Sequence, residues 1–242
     1  MERKSWVSGI KKMAPVLLSY IPLGLAGGML LSEAGFSPLG ILLMSLLVFA
    51  GAGQFMAASM VSAGASVFAI ILMTFFLNLR HLLLSSSIST YLKGKKLPFL
   101  LLFSHTTADE SYAVNYTEFT HNPAWSPEEG MAANLSGFFI WILSTSAGGI
   151  LGQFISIDTV LVNYVLTAMF ICMMVMQWIS FTHVVASVVT GILSVLLLKL
   201  LNHNIALVIA AVIGSTAGFL LNRKKERNAS PESRKEEVYA DS

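Results

Sequence analysis

The sequence predicts an all-α polytopic integral membrane protein, and three observations lead to this fold class. Only 12% of the 242 residues are charged and 55% are hydrophobic, whereas soluble domains average about 25% charged residues. The mean hydropathy is +0.72. Long apolar runs approach the ~20 residues with which a helix crosses a bilayer. Together they predict about seven or eight apolar helical segments.

Turn signals separate these segments along the chain. In order, the apolar segments cover residues 14–32, 38–62, 67–91, 98–116, 131–155, 159–181, 183–200 and 205–221. Gly35 and Pro38 punctuate the first turn. The second segment is interrupted by "AGAGQ", and its small residues predict a discontinuous helix near 50–54.

A polar loop is predicted over residues 117–130, where Pro123 and Pro127 disfavour a helix. Ser126 and Glu129 fit a capping box for the helix that follows. The predicted organisation is a basic cytoplasmic head at 1–12, a single transmembrane domain at 13–222 and a charged tail at 223–242. The tail lacks an apolar face, which predicts disorder.

Basic residues indicate the orientation of the chain. They cluster in the head, in "KGKK" at 93–96 and at the start of the tail, and cytoplasmic loops carry such an excess. Both termini are therefore predicted to be cytoplasmic, which requires an even number of crossings. Three full spans before 93–96 would place that loop outside. Either an early segment does not cross, with the segment around 50–54 as the candidate, or the charge rule fails at this loop.

Residues 25–49 resemble residues 146–170, which suggests an internal repeat. Both stretches contain Ala-Gly-Gly, a short loop and an apolar run that ends in Phe. Transporters often contain such repeats, with the site at their interface. The alternative is that two membrane helices share a similar composition.

Charge occurs inside an apolar run at "FLNLRH", where a central arginine costs roughly 2.5 to 3.5 kcal/mol on insertion scales. One explanation is a substrate or proton site inside the bundle, formed by Arg80 and His81 with Asn78. The other is a helix end from which Arg80 snorkels to the interface. On a helix, Asn78 and Arg80 lie about 200° apart, so they cannot both face one lipid-free wedge unless the backbone is irregular or the helix is mostly buried.

The natural counter-ion for Arg80 is an acid in "SHTTADESYAVNY". The spacing predicts that His105, Asp109 and Tyr112 share one helical face. Glu110 stands beside Asp109. The alternative is an interfacial helix end that carries solvated acids.

Gln54 follows four small residues, 50–53, and has two explanations. An unwound turn would expose backbone groups to a substrate. Close helix packing through small residues would leave Gln54 as an interhelical hydrogen bond. The "GSTAG" at 214–218 is predicted to be a packing motif.

Enzyme chemistry has little support, so no catalytic residue, metal site or cofactor is predicted. The sequence contains no HExxH motif and no phosphate-binding Walker loop. Its single cysteine, Cys172, rules out an intramolecular disulfide. The basic clusters are not interleaved with aromatic residues, which argues against nucleic-acid binding.

Three motifs in this order resemble the AzlC family, the large subunit of bacterial branched-chain amino acid exporters. They are "FAGAGQF" at 49–55, "NLRHLLLSSS" at 78–87 and "TADESYAV" at 107–114. The resemblance runs from about residue 10 to 222. It implies export of leucine, isoleucine, valine and methionine or toxic analogues across the plasma membrane. It also implies a small AzlD-like membrane subunit as partner.

With such a substrate, Arg80 would hold the carboxylate and Asp109 the ammonium group or a coupling proton. Proton antiport is the simplest coupling for a chain without an ATP site. Two other functions stay open on the sequence. One is a channel or transporter for a different small solute, and the other is a non-transporting interaction or sensory subunit.

Overall fold

The computed structural model describes residues 3–154, 181–201, 209–210 and 212–220, with scattered positions at 164, 167–168, 171 and 175. They belong to two units, residues 1–166 and residues 167–242. Regular structure within the described residues is helical, and no strand occurs among them. This confirms the all-α membrane class. The predicted single domain over 13–222 stays a prediction.

Three long helices and four short ones make up the part of the first unit between residues 3 and 154. They are α1 (Arg3–Glu33), α2 (Pro38–Leu47), α3 (Gly51–Ser62), α4 (Val67–Ile88), α5 (Leu97–His105), α6 (Asp109–His121) and α7 (Pro127–Leu151). A single turn of 3-10 helix, Ser89–Tyr91, extends α4. Among the described residues, the stretches long and apolar enough to cross a membrane are Ser5–Glu33, Val67–Tyr91 and Pro127–Leu151. The short helices, at ~1.5 Å per residue, cannot cross the ~30 Å hydrocarbon core alone.

Helices α1 and α7 lie side by side and run in the same direction. The residue numbers of the contacting pairs increase together along both helices: Gly9 with Glu129, Tyr20 with Ser144, Gly28 with Thr145 and Ser32 with Gly152. Glycines bring the two backbones together, because a methyl group at Gly148 would collide with the Leu25 carbonyl oxygen. The two Ala-Gly-Gly motifs of the proposed repeat therefore meet at this contact. Residues 155–163 of that repeat lie outside the described residues, so the repeat itself stays a prediction.

Helix α4 runs in the opposite direction to α1 and α7. After α4 ends, Lys95 forms an ion pair with Glu128 at the start of α7. Lys12 near the start of α1 pairs with Glu118 at 2.6 Å, and its hydrogen bond lowers the pKa of that carboxyl. The loop at 93–96 therefore lies at the end of the bundle where α1 and α7 begin. This end is called the basic end below, and the other the far end.

The second apolar segment is a helical hairpin, in which α2 ends at Leu47 and α3 begins at Gly51. Helix α2 descends from the far end along α7: Ile41 packs on Gly149, Ser45 bonds Thr145, and Phe49, just after the helix, packs on Phe138. The chain then turns at Phe49, whose φ of 42° is in the left-handed region. Helix α3 returns toward the far end, where α4 begins. We call α2 and α3 hairpin 1. A discontinuous helix is thus confirmed, with the break at 48–50, just before the predicted 50–54.

Helices α5 and α6 form hairpin 2, which enters from the basic end. Ascending α5 packs along α7, where Asn134 donates to the Phe103 carbonyl at 3.2 Å. Descending α6 follows α4, where Ser87 bonds Tyr112 at 3.0 Å and Tyr91 stacks on Phe119. Each hairpin therefore leaves at the end where it entered. In a membrane spanned by α1, α4 and α7, both are re-entrant.

The polar loop is shorter than predicted. Helix α6 continues to His121, so residues 117–121 are helical and only 122–126 form the connection. The two prolines exclude helix only within this connection. Pro123 follows the end of α6, and Pro127 is the first residue of α7, where a helix does not need the missing N–H. The Ser126–Glu129 capping box is confirmed at the start of α7.

In the second unit, α8 (Phe181–Leu201) packs antiparallel to the helical residues 212–220. Gly214 lies against Thr190 and Gly218 against Ala186. The "GSTAG" motif is therefore a packing motif, as predicted. Most of the predicted segment 159–181, parts of 205–221 and the tail at 223–242 lie outside the described residues.

Candidate functional site

The tips of the two hairpins meet in the middle of the first unit. The His105 side chain, at the end of α5, donates through Nε2 to the Leu46 carbonyl oxygen of α2 at 2.9 Å. This carbonyl belongs to the last turn of α2, where the helix leaves acceptors unpaired. Phe138 of α7 packs edge-on against both His105 and Phe49. His105 thus joins one helix break to the other.

This geometry corrects the prediction that His105, Asp109 and Tyr112 share one helical face. His105 ends α5, whereas Asp109 begins α6. The helix stops between them because the Thr106 and Thr107 hydroxyls bond back to the carbonyls of residues 102 and 103, and Ala108 is extended.

Gln54 attaches hairpin 1 to α7. It is 1% exposed, its Nε2 donates to Ser45 Oγ at 2.7 Å, and its Oε1 accepts from Trp141 Nε1 at 2.7 Å. Ser45 in turn bonds Thr145 at 2.8 Å. The Gln54 amide is therefore engaged by protein groups at both ends, as in the packing interpretation.

Arg80 and Asp109 form an ion pair, as expected for a charge inside an apolar run. Arg80 Nη1 lies 2.9 Å from Asp109 Oδ2, with side chains 25% and 41% exposed. Arg80 is not at a helix end, because α4 continues for two more turns to Ile88. Asp109 stands in the first turn of α6, where the helix dipole favours a negative charge.

His81, the neighbour of Arg80, contacts the break of hairpin 2. Its Nδ1 lies 3.2 Å from the Thr107 carbonyl oxygen. A carbonyl oxygen only accepts, so Nδ1 carries the proton in this contact. Glu110 lies on another side of α6 and accepts a 2.7 Å hydrogen bond from Tyr20 of α1. The two adjacent acids thus tie α6 to α4 and to α1.

Helix α4 presents a polar face to hairpin 1. A methyl group at Gly53 would lie 3.6 Å from Asn78 Oδ1 and 3.6 Å from Thr74 Cγ2. Asn78 therefore faces α3, while Arg80 faces α6, as their angular separation predicted. Sequence reasoning missed Thr74, although its spacing to Asn78 and His81 placed all three on one face.

A buried asparagine pair was also missed. Asn115 Nδ2 donates to Asn134 Oδ1 at 2.9 Å, and both residues are 0% exposed. Trp125 donates to Asn115, and Asn134 donates to the Thr107 hydroxyl. The signal was an asparagine within the apolar run of α7. This network holds hairpin 2 to α7, as Gln54 holds hairpin 1.

Among the described residues, no group of three His, Cys, Asp or Glu side chains has the arrangement of a metal site. The site therefore consists of an ion pair and polar side chains, between two discontinuous hairpins in a helical membrane bundle. This combination is typical of membrane transporters, which place substrate sites at broken helices near the bilayer midplane.

The chain belongs to the AzlC protein family, whose profile matches residues 15–155. A relative in Bacillus subtilis strain 168, described as "Branched-chain amino acid transport protein AzlC", is 29% identical over 170 residues. The alignment covers 69% of this chain and 65% of that protein, so the chain spans less than two thirds of its length.

Two uncharacterized membrane proteins match over more of the chain. One from Helicobacter pylori strain 26695 is 29% identical over 220 residues, covering 87% of this chain and 92% of that protein. One from Archaeoglobus fulgidus is 29% identical over 217 residues, covering 88% and 92%. No solved structure matches.

Proposed function

We propose that this protein is a secondary transporter that exports branched-chain amino acids across the bacterial plasma membrane. The observation that carries the proposal is the Arg80–Asp109 ion pair, which joins α4 to the start of α6 beside the break of hairpin 2. The name of the Bacillus subtilis relative supports the substrate class. Leucine, isoleucine and valine are the expected substrates, with methionine or toxic analogues as further ones.

In the proposed mechanism the substrate competes for Arg80. A guanidinium binds a carboxylate through two parallel hydrogen bonds, so the amino acid carboxylate replaces Asp109 on Arg80. Release of the substrate restores the ion pair, so the amino acid carboxylate and Asp109 occupy Arg80 in turn. The proposed coupling is proton antiport, in which a proton crosses in the opposite direction while the substrate site is empty.

The orientation and the partner are further parts of the proposal. The basic end carries the head and the 93–96 loop, and the charge rule favours the cytoplasm for both. Because hairpin 1 returns to the end where it entered, the 93–96 loop and the basic head lie on the same side of the membrane, and the charge rule is satisfied for both. We expect both termini in the cytoplasm and a small AzlD-like membrane subunit as partner.

Counterflow of labelled leucine in proteoliposomes tests the transport function, with and without the small subunit. The wild type is expected to exchange leucine, and Arg80→Lys to lose most of this exchange because an ammonium cannot form the bidentate pair. Arg3→Lys makes the same exchange at the start of α1 and should leave transport unchanged.

Two results would contradict the proposal. Leucine that does not move in either preparation excludes the substrate, and favours a different solute or a subunit that does not transport. Normal leucine exchange by Arg80→Lys excludes the carboxylate role of Arg80.

A further inference from the structure

We propose that Thr74, Asn78 and His81 form the subsite for the substrate's ammonium group. This proposal rests on the proposed function, because it assigns one end of the zwitterion whose other end binds Arg80. It also moves the ammonium group from Asp109 to α4, because Asp109 has Arg80 as its partner in the substrate-free protein, whereas these three side chains carry atoms without a partner among the described residues.

The three side chains form a row of atoms that need partners. Thr74 Oγ1, Asn78 Oδ1 and His81 Nε2 are buried and have no hydrogen-bond partner in the described part of the chain. The residues are spaced at i, i+4 and i+7, so the row follows one face of α4. Buried polar atoms are paired in the great majority of cases. Three in a row therefore indicate a place for a ligand.

The chemistry of the row selects a cation rich in N–H donors. Asn78 Oδ1 only accepts hydrogen bonds, and the Thr74 hydroxyl can accept. His81 donates through Nδ1 to the Thr107 carbonyl, so Nε2 of the neutral imidazole is an acceptor. A primary ammonium group has three donors and no acceptor. It complements this row, whereas a carboxylate does not.

The position of the row suits a zwitterion. Arg80 directly precedes His81 and lies about 100° around the helix, so the His81 end of the row is the part next to the guanidinium that would hold the carboxylate. The Arg80 Nε atom is also unpartnered within the described residues.

Hairpin 1 covers the row, since Gly53 lies against Asn78 and Thr74. Substrate access therefore requires hairpin 1 to move away from α4. Because hairpin 1 enters from the far end, this movement would open the subsite toward that end.

Three ligands distinguish binding through the ammonium group from binding through the carboxylate. They are leucine, isocaproate (leucine without its ammonium group) and isoamylamine (leucine without its carboxylate). Binding is measured by calorimetry on the full chain in lipid nanodiscs. Thr74→Val and Asn78→Leu are expected to weaken leucine and isoamylamine by about tenfold or more, and to leave isocaproate unchanged. Arg80→Met should do the reverse, with loss of isocaproate and retention of isoamylamine.

Thr90→Val is the matched control, because the Thr90 hydroxyl donates to the Ser87 carbonyl at 3.1 Å on the exposed surface. It should bind all three ligands as the wild type does. Asn78→Asp provides a second test that does not remove polarity, and the added charge should strengthen isoamylamine binding.

The outcomes distinguish this proposal from the proposed function. If the wild type binds leucine and Asn78→Leu and Thr74→Val bind it equally well, the subsite is wrong and the transport function stands. Equal loss of isocaproate and isoamylamine in Asn78→Leu, together with unchanged isoamylamine binding in Asn78→Asp, also overturns the subsite. A wild type that binds none of the three ligands overturns both.

Discussion

Arg80 can remain inside an apolar helix because Asp109 neutralises it. The pair joins α4 to the first turn of α6, and both side chains are partly exposed rather than sealed. A fully buried pair would have a larger desolvation cost. Partial exposure limits that cost and leaves the guanidinium accessible to a competing carboxylate.

The destabilisations caused by removing Arg80 alone and Asp109 alone should add up to more than the destabilisation of the double variant. In Arg80→Met, Asp109 loses its cation, and in Asp109→Asn, Arg80 loses its anion, whereas the double variant leaves no unpaired charge. We expect a coupling free energy of about 1 kcal/mol, a modest value because the pair is partly solvated. Unfolding of all four proteins in micelles measures it.

Strictly additive free energies of unfolding would contradict this expectation. Asp109 would then be solvated independently of Arg80, and the competition between substrate carboxylate and Asp109 would lose its basis.

At the scale of elements, each hairpin is held to α7 by a buried polar network. Gln54, Ser45 and Trp141 hold hairpin 1, and Asn115 with Asn134 holds hairpin 2. In a bilayer, an apolar helix face gains little by contacting another helix instead of lipid, because the lipid tails are equally apolar. Directional hydrogen bonds therefore fix where the two broken helices lie.

The parallel α1–α7 pair depends on glycine rather than on hydrogen bonds. Gly148→Ala would bring a methyl group into the Leu25 carbonyl, so the helices must separate. We expect a loss of about 1 to 3 kcal/mol in the free energy of unfolding, the range for overpacking. Thermal unfolding in micelles gives the comparison.

Gly191→Ala is the matched control, because nothing lies within 4 Å of the position of the added methyl group in α8. Its stability should be unchanged or higher, since alanine favours helix by about 1 kcal/mol. Equal destabilisation by both substitutions would mean that glycine in these helices matters for a reason other than close approach.

At the scale of the whole molecule, hairpin 1 decides the topology of the first unit. Because it returns to the far end, Glu33 and Ala63 should lie on one side of the membrane and Lys93 on the other. Single substitutions to cysteine at these three exposed positions, in a Cys172→Ser background, test this with an impermeant thiol reagent on intact cells. Labelling is expected at 33 and 63, and protection at 93.

Labelling of 33 and 63 from opposite sides would show that α2 and α3 together cross the membrane. The 93–96 loop would then be outside, against its charge. Inverted membrane vesicles provide the control, because they should reverse the pattern.

Much of the site could be predicted from the sequence. The cost of charge in lipid identified Arg80, and the same argument identified Asp109 as its counter-ion, which the structure confirms as an ion pair. The small residues before Gln54 located the first helix break within a few residues. The second break was missed, because the Thr106 and Thr107 hydroxyls end α5 through local hydrogen bonds that leave no clear signal in an apolar pattern.

The sequence by itself determined the all-α membrane class and the family, because hydropathy, charge and local motifs are properties of neighbouring residues. Only the tertiary structure decided that both hairpins turn back, that His105 meets Leu46, and that Thr74, Asn78 and His81 face hairpin 1. A break in a helix does not specify the direction in which the chain continues. That direction depends on hydrogen bonds and glycine contacts with α7, between residues far apart in the chain.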